Sequence, residues 1–181
     1  MSTRRKPKPA RRILFSAEDS ATRIRAIGSE ISSDYVGREL LAVIVLRGAF
    51  IFGSDLIRHL DPTIRLHLDF LGVSSYGKGT VSTGIVRITQ DVDLPIDGRN
   101  VLIIEDIVDT GRTVSTIRDH LLQRQPASLR IATLLQKKAS QERKVELDYI
   151  GFEVPDDFVV GYGLDYDQQH RQLADIRILE R

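Results

Sequence analysis

Cysteine and tryptophan are absent, methionine occurs once, and aromatic residues make up only 6% of the chain. Without cysteine there can be no disulfide framework and no thiolate metal site. That fits a reducing compartment, and the expected location is cytoplasmic. Long apolar runs are missing too: the longest, LLAVIVL at 40–46, is far too short to cross a bilayer, so no membrane partner is expected. The amino terminus, MSTRRKPKPARR, is basic but leads into no continuous apolar core or small-residue cleavage site, and does not read as a secretory signal.

The rest is ordinary for a globular chain: 181 residues, 41% hydrophobic and 28% charged, enough for one domain with a substantial core. The charge is unevenly placed. Of the 26 Lys and Arg, six fall within residues 1–12, where there is no acid, leaving 20 basic residues against 25 acidic ones elsewhere. The net charge of +1 thus conceals an acidic body. Two prolines among like charges predict a disordered basic arm over 1–12, with residues 13–181 as a single domain. Such an arm can touch nucleic acid or another subunit. The acidic body argues against nucleic acid as the main partner.

Strand and helix signals alternate. SAED at 16–19 resembles a capping box, and Ile24, Ile27 and Ile31 follow at helical spacing. LLAVIVL predicts a strand buried on both faces. AFIFGSDLIRHL predicts a helix with Phe50, Leu56, Ile57 and Leu60 inward, stopped by Asp61-Pro62. Alternation of Ile64, Leu66, Leu68 and Phe70 predicts a strand, followed by the Gly-rich loop GKGTVSTG and the returning strand IVRIT. VLIIED, a helix over TVSTIRDHLLQRQ and a strand over LRIATLLQ come next. Short strand-like pieces follow in YIGFEV and FVVGYG. The pattern predicts an α/β fold, a mainly parallel sheet flanked by helices. Ligands in such sheets sit beyond the carboxyl ends of the strands.

GVSSYGKG at 72–79 imitates a P-loop, but Gly79 stands where the motif needs Ser or Thr for Mg²⁺, and TVSTG is poor helix material. The stronger candidate is VLIIEDIVDTGRT at 101–113. Its strand ends in Glu105, Asp106 and Asp109 and turns at once into Thr110-Gly111-Arg112-Thr113 and a helix. Amide N–H groups at a helix start, hydroxyls and a glycine form an anion cradle. Carboxylates beside it make sense if the ligand also offers hydroxyl donors or a bridging Mg²⁺, as a sugar phosphate does. Either Asp109 or Thr113 alone would be an ordinary helix cap.

The same stretch resembles the 5-phosphoribosyl-1-pyrophosphate (PRPP) binding motif of the type I phosphoribosyltransferases. VIVLRGAFIFGSDLIRHL resembles the pyrophosphate loop and helix of their hypoxanthine-guanine members. DFLGVSSYG resembles the flexible lid loop, LLQKK the purine-reading lysine segment, and VPDDFVVGYGLDYDQQHRQL the base-binding carboxyl-terminal segment. The resemblance spans roughly 13–181 in unbroken order. It implies the type I fold with a small hood built from the terminal segments. The implied reaction is Mg²⁺-dependent transfer of phosphoribosyl from PRPP to N9 of a 6-oxopurine in purine salvage, releasing pyrophosphate.

By that resemblance Glu105 and Asp106 hold the ribose hydroxyls and Mg²⁺, and Asp109 through Thr113 hold the 5′-phosphate. Asp109 is the acid/base near purine N7. Arg47 and Gly48, after an implied cis peptide, bind pyrophosphate together with Arg171. Arg47 stands where a lysine is common, and Ala49 where glycine can occur. Ser75 and Tyr76 belong to the lid. Lys137 donates to the purine O6, Phe158 stacks on the base and the Val159 backbone reads its edge. Asp165 lies near the base and holds a second Mg²⁺. A homo-oligomer, dimer or tetramer, is implied as well. The alternative is a regulator of the same fold that binds nucleic acid, which should carry a basic face and need not keep Lys137, Phe158 and Asp165.

Overall fold

The computed structural model describes residues 10–75, 86–137, 142 and 144–179. In chain order the elements are β1 (Ala10–Phe15), α1 (Ala17–Tyr35), β2 (Glu39–Leu46), α2 (Phe50–Ile57), β3 (Arg65–Ser75) and β4 (Val86–Gln90). They continue with β5 (Asn100–Val108), α3 (Arg112–Leu122), β6 (Ser128–Gln136), β7 (Tyr149–Glu153), β8 (Val159–Val160) and β9 (Ile176–Leu179).

Six strands form the main sheet in the order β4-β3-β2-β5-β6-β7. All its pairings are parallel except that of β4, the antiparallel edge. Because β2 and β5 lie in the middle, their apolar runs are covered on both faces. Leu40, Ala42, Ile44, Leu102 and Ile104 pack with α1 and α2, whereas Leu41, Val43, Val101 and Ile103 pack with α3. Helix α1 starts where SAED places it. The Ser16 hydroxyl accepts the Asp19 N–H at 3.1 Å, and the Asp19 carboxylate accepts the Ser16 N–H at 3.0 Å. Ile24, Ile27 and Ile31 form its buried stripe.

Two expectations change. Strand β1 begins at Ala10, inside the stretch expected to be disordered over 1–12. Its partner is β9, with Ala10 opposite Leu179 and Arg12 opposite Ile178. The partner lies at the far end of the chain, where local charge and proline content carry no sign of it. With β8 these strands make the three-stranded antiparallel hood; residues 1–9 lie outside the described residues. Helix α2 closes at Ile57, before Asp61-Pro62, and its inward aromatic is Phe52 while Phe50 is 44% exposed. Packing against Ile44 and the core chose Phe52 and Leu56 as the buried pair. Leu68 and Phe70, on the same face of the sheet as Ala42 and Ile44, are 37% and 36% exposed, since α2 packs over β2 and β5.

At the amino-terminal ends of β6 and β7, Arg130 and the Tyr149 hydroxyl both donate to Asp34 at the end of α1, the tyrosine at 2.6 Å. The Tyr149 hydrogen bond, helped by Arg130, holds the Asp34 carboxyl below its ordinary range against the opposing effect of burial. A carboxylate of depressed pKa stabilises the fold above its unfolded pKa of about 4 and stops doing so as pH falls through the lower folded value. Asp34→Asn should therefore cost about 1 kcal/mol at pH 7, a modest figure because 43% of the Asp34 side chain meets solvent. Urea unfolding should find the difference shrinking towards pH 3; a gap independent of pH would contradict the assignment.

Candidate active site

Strand β5 carries the carboxylates to the carboxyl end of the sheet. Ile104 and Ile107 pack in the cluster under α1 and α2, while Ile103 and Val108 pack in the one under α3. The alternation of side chains therefore reverses across Glu105 and Asp106. Both line one cavity of about 230 Å³ with residues 107–111, 113 and 114. Glu105 is buried: one oxygen accepts the Asp106 N–H at 3.2 Å, and Oε2 has no hydrogen-bond partner among the described residues. Burial, then the neighbouring Asp106 charge, push the Glu105 carboxyl well above the usual carboxylate range. Burial also raises Asp106, with the Arg171 guanidinium acting the other way.

Beyond Val108 the chain turns through Asp109 and Thr110 to Gly111, the N-cap of α3, at φ 78°. Gly111 offers no side chain to cap this helix, and apart from a long 3.5 Å contact from the Arg112 N–H to the Thr110 hydroxyl its first-turn N–H groups stay available beside the Thr113 hydroxyl. The Arg112 side chain, expected on the phosphate, instead pairs with Glu142. Glu142 also donates its N–H to the Thr110 carbonyl at 3.0 Å, which ties the cradle to the segment after β6.

The Leu46–Arg47 peptide is cis. Past it, the Gly48 backbone lies so close to Asp106 that an added Cβ would come 1.7 Å from its Oδ2. Gly163 presses on the other side, where a Cβ would meet the Gly48 carbonyl at 2.3 Å, and its φ of +100° suits glycine. The Gly163 carbonyl accepts from Arg171 Nη1 at 2.7 Å, and Arg171 Nη2 pairs with Asp165 at 2.7 Å. Arg47 reaches Gln168 at 3.4 Å. Arg47, Gly48 and Arg171, far apart in sequence, are thus neighbours. Tyr162 strengthens the same junction by donating its hydroxyl to Asp55 of α2.

Lys137 follows β6 with only 8% of its side chain exposed. Its Nζ donates to Asp109 at 3.2 Å and to Asp156 at 3.3 Å. Phe158 lies two residues beyond Asp156, edge-on to Tyr166 with ring centroids 5.5 Å apart, and Val159 is buried in β8. Sequence reasoning missed Asp156, Gln168, Tyr162 and Glu142, for which no motif or periodicity gives a signal. Ser75 ends β3; Tyr76, the loop after it and Lys138 lie outside the described residues.

Among the described residues no group of three or more His, Cys, Asp or Glu is placed to hold a metal. Asp165, expected on a second Mg²⁺, accepts from Arg171 and, at 2.8 Å, from the Gln168 N–H, while Glu105 and Asp106 line the cavity side by side. That carboxylate pair, with its unpartnered buried oxygen, still suits Mg²⁺, which keeps several waters and takes phosphate oxygens besides one or two carboxylates. No helix among the described residues is long and apolar enough to cross a membrane.

A parallel sheet with a carboxylate pair and an open helix start at its carboxyl edge is the arrangement of a phosphoribosyl transferase domain, and the sequence model of that domain matches residues 12–167. A hypoxanthine-guanine phosphoribosyltransferase of Streptococcus thermophilus is 46% identical over 96% of this chain and 95% of its own. One from Mycobacterium bovis is 45% identical over 96% and 88%. Among solved structures, a hypoxanthine phosphoribosyltransferase of Staphylococcus aureus superposes with a TM-score of 0.88 at 42% identity, covering 94% of this chain and 92% of that one. The chain belongs to the hypoxanthine-guanine phosphoribosyltransferase family.

Proposed function

We propose that this chain transfers the 5-phosphoribosyl group of PRPP to N9 of a 6-oxopurine, hypoxanthine or guanine, forming the nucleoside monophosphate and pyrophosphate in purine salvage. The observation that carries it is the shared location of Glu105, Asp106, Asp109 and the open start of α3 in one cavity, with Lys137 bonded to Asp109. The chain from β1 onward acts as the single catalytic domain.

The bond between the anomeric carbon and pyrophosphate breaks as N9 attacks that carbon. Asp109 takes the N7 proton, which makes N9 the better nucleophile. Thr110, Gly111, Thr113 and the α3 amides hold the 5′-phosphate; Arg112 contributes its backbone. Glu105 and Asp106 accept from the ribose hydroxyls. Arg47, Gly48 and Arg171 receive the pyrophosphate, whose departure leaves positive charge on the ribose. Mg²⁺ held at Glu105 and Asp106 would supply counter-charge to the leaving pyrophosphate. Ser75 and Tyr76 close over the reacting atoms. Phe158 stacks on the base, the Val159 backbone reads its edge, and Asp165 orients Arg171. Release of pyrophosphate from PRPP with hypoxanthine should stop with EDTA and return with excess Mg²⁺. Turnover unaffected by EDTA would remove Mg²⁺ from the account.

The nucleic-acid regulator finds no support in the relatives named above, which are transferases by name. The chain assembles as a homo-oligomer in this reading, and Phe50, Leu68 and Phe70, all exposed on the α2 side of the sheet, supply the apolar face. Leu68→Lys with Phe70→Glu should lower the sedimenting mass. A wild-type chain already monomeric at micromolar concentration would contradict it. Cytoplasmic location is part of the proposal and follows from the cytosolic chemistry of its substrates.

A further inference from the structure

We infer that Asp156 is a positioning residue that sets purine specificity by orienting the Lys137 ammonium; this rests on the proposed reaction. Lys137 has three N–H donors. One goes to Asp109 at 3.2 Å and a second to Asp156 at 3.3 Å, which leaves a single donor for a base. The ammonium is nearly buried, so it has little water to fall back on, and its direction is fixed by its two carboxylates. Without Asp156 the cation would turn wholly towards Asp109 and its remaining donors would lose their aim.

The backbone points the same way. Lys137 donates its N–H to the Val108 carbonyl at 2.9 Å, just before Asp109, and Val154 donates to the Gln136 carbonyl at 2.9 Å. The turn holding Asp156 is therefore clamped to the end of β6, and two residues later it presents Phe158. The Asp156–Lys137 pair closes this clamp at its tip. It holds the residue that stacks on the base in register with the residue that reads its 6-position. A single aimed N–H donates to a carbonyl at that position and leaves the amino group of adenine facing an N–H with no acceptor.

Steady-state kinetics with hypoxanthine, guanine and adenine would test this on wild type, Asp156→Asn and Asp156→Glu. Asp156→Asn should raise KM for the 6-oxopurines about tenfold, with kcat and the KM for PRPP within about threefold of wild type, and narrow the preference over adenine. Asp156→Glu, which restores the charge, should recover most of the loss. A purely structural role would change PRPP and purine constants together and lower the melting temperature of both variants; that result, or unchanged purine KM, would overturn the inference. Wild type inactive on every base would overturn the proposed reaction and this inference with it. Wild type active with unaffected Asp156→Asn would remove the inference alone.

Discussion

Asn in place of Asp109 is expected to cut kcat by about 100-fold to 10,000-fold while the KM for PRPP changes little. The amide keeps the size of the side chain and leaves the open amides of α3 untouched, so the phosphate cradle survives. It cannot accept the N7 proton. Lys137 is not stranded by the change, because Asp156 still accepts from its Nζ at 3.3 Å, and the fold should therefore hold. Rapid-quench measurement of a single turnover would separate the chemical step from product release. Near wild-type chemistry in Asp109→Asn would reduce Asp109 to a helix-entry residue and move the proton elsewhere.

Gly48→Ala should be nearly as damaging for a different reason. The new methyl group would lie 1.7 Å from Asp106 Oδ2, so one of them must move. The Gly48 carbonyl cannot easily retreat, since Gly163 stands against it at a distance that excludes even a Cβ. Asp106 must then leave its hydrogen bond with the Ile107 N–H, 2.8 Å long, and with it the place proposed for its contact with the ribose. Overpacking of this kind costs about 1–3 kcal/mol of stability. kcat/KM should fall by more than about 100-fold, since both the pyrophosphate loop and the ribose carboxylate are displaced. An active Gly48→Ala enzyme would mean that the loop holds pyrophosphate in another geometry.

Much of this site could be read from the chain before folding, and the reasons are local. Glu105, Asp106, Asp109 and the Thr-Gly-Arg-Thr turn occupy one window, where an apolar strand meeting an anion cradle is visible as sequence. The pairing of the Arg112 side chain with Glu142 is invisible within that window, because the partner is 30 residues away. The same limit hides the bridge from Lys137 to Asp109 and Asp156, partners 28 and 19 residues distant. Alternation in β3 identified Leu68 and Phe70 as facing one way, but coverage of that face depends on which strands α2 packs over. The shift from Phe50 to Phe52 in α2 has a similar cause: helical spacing relates residues to one another, and only the sheet beneath fixes which of them turn inward.

The reaction itself is tested most directly by a spectrophotometric assay of the wild-type chain with PRPP and Mg²⁺, offering hypoxanthine, guanine, xanthine and adenine in turn. The account predicts turnover of at least one of hypoxanthine and guanine and none of adenine, because the proposed Lys137 N–H donates to a carbonyl and finds no acceptor on an amino group. Silence with all four bases despite measurable PRPP binding would contradict it.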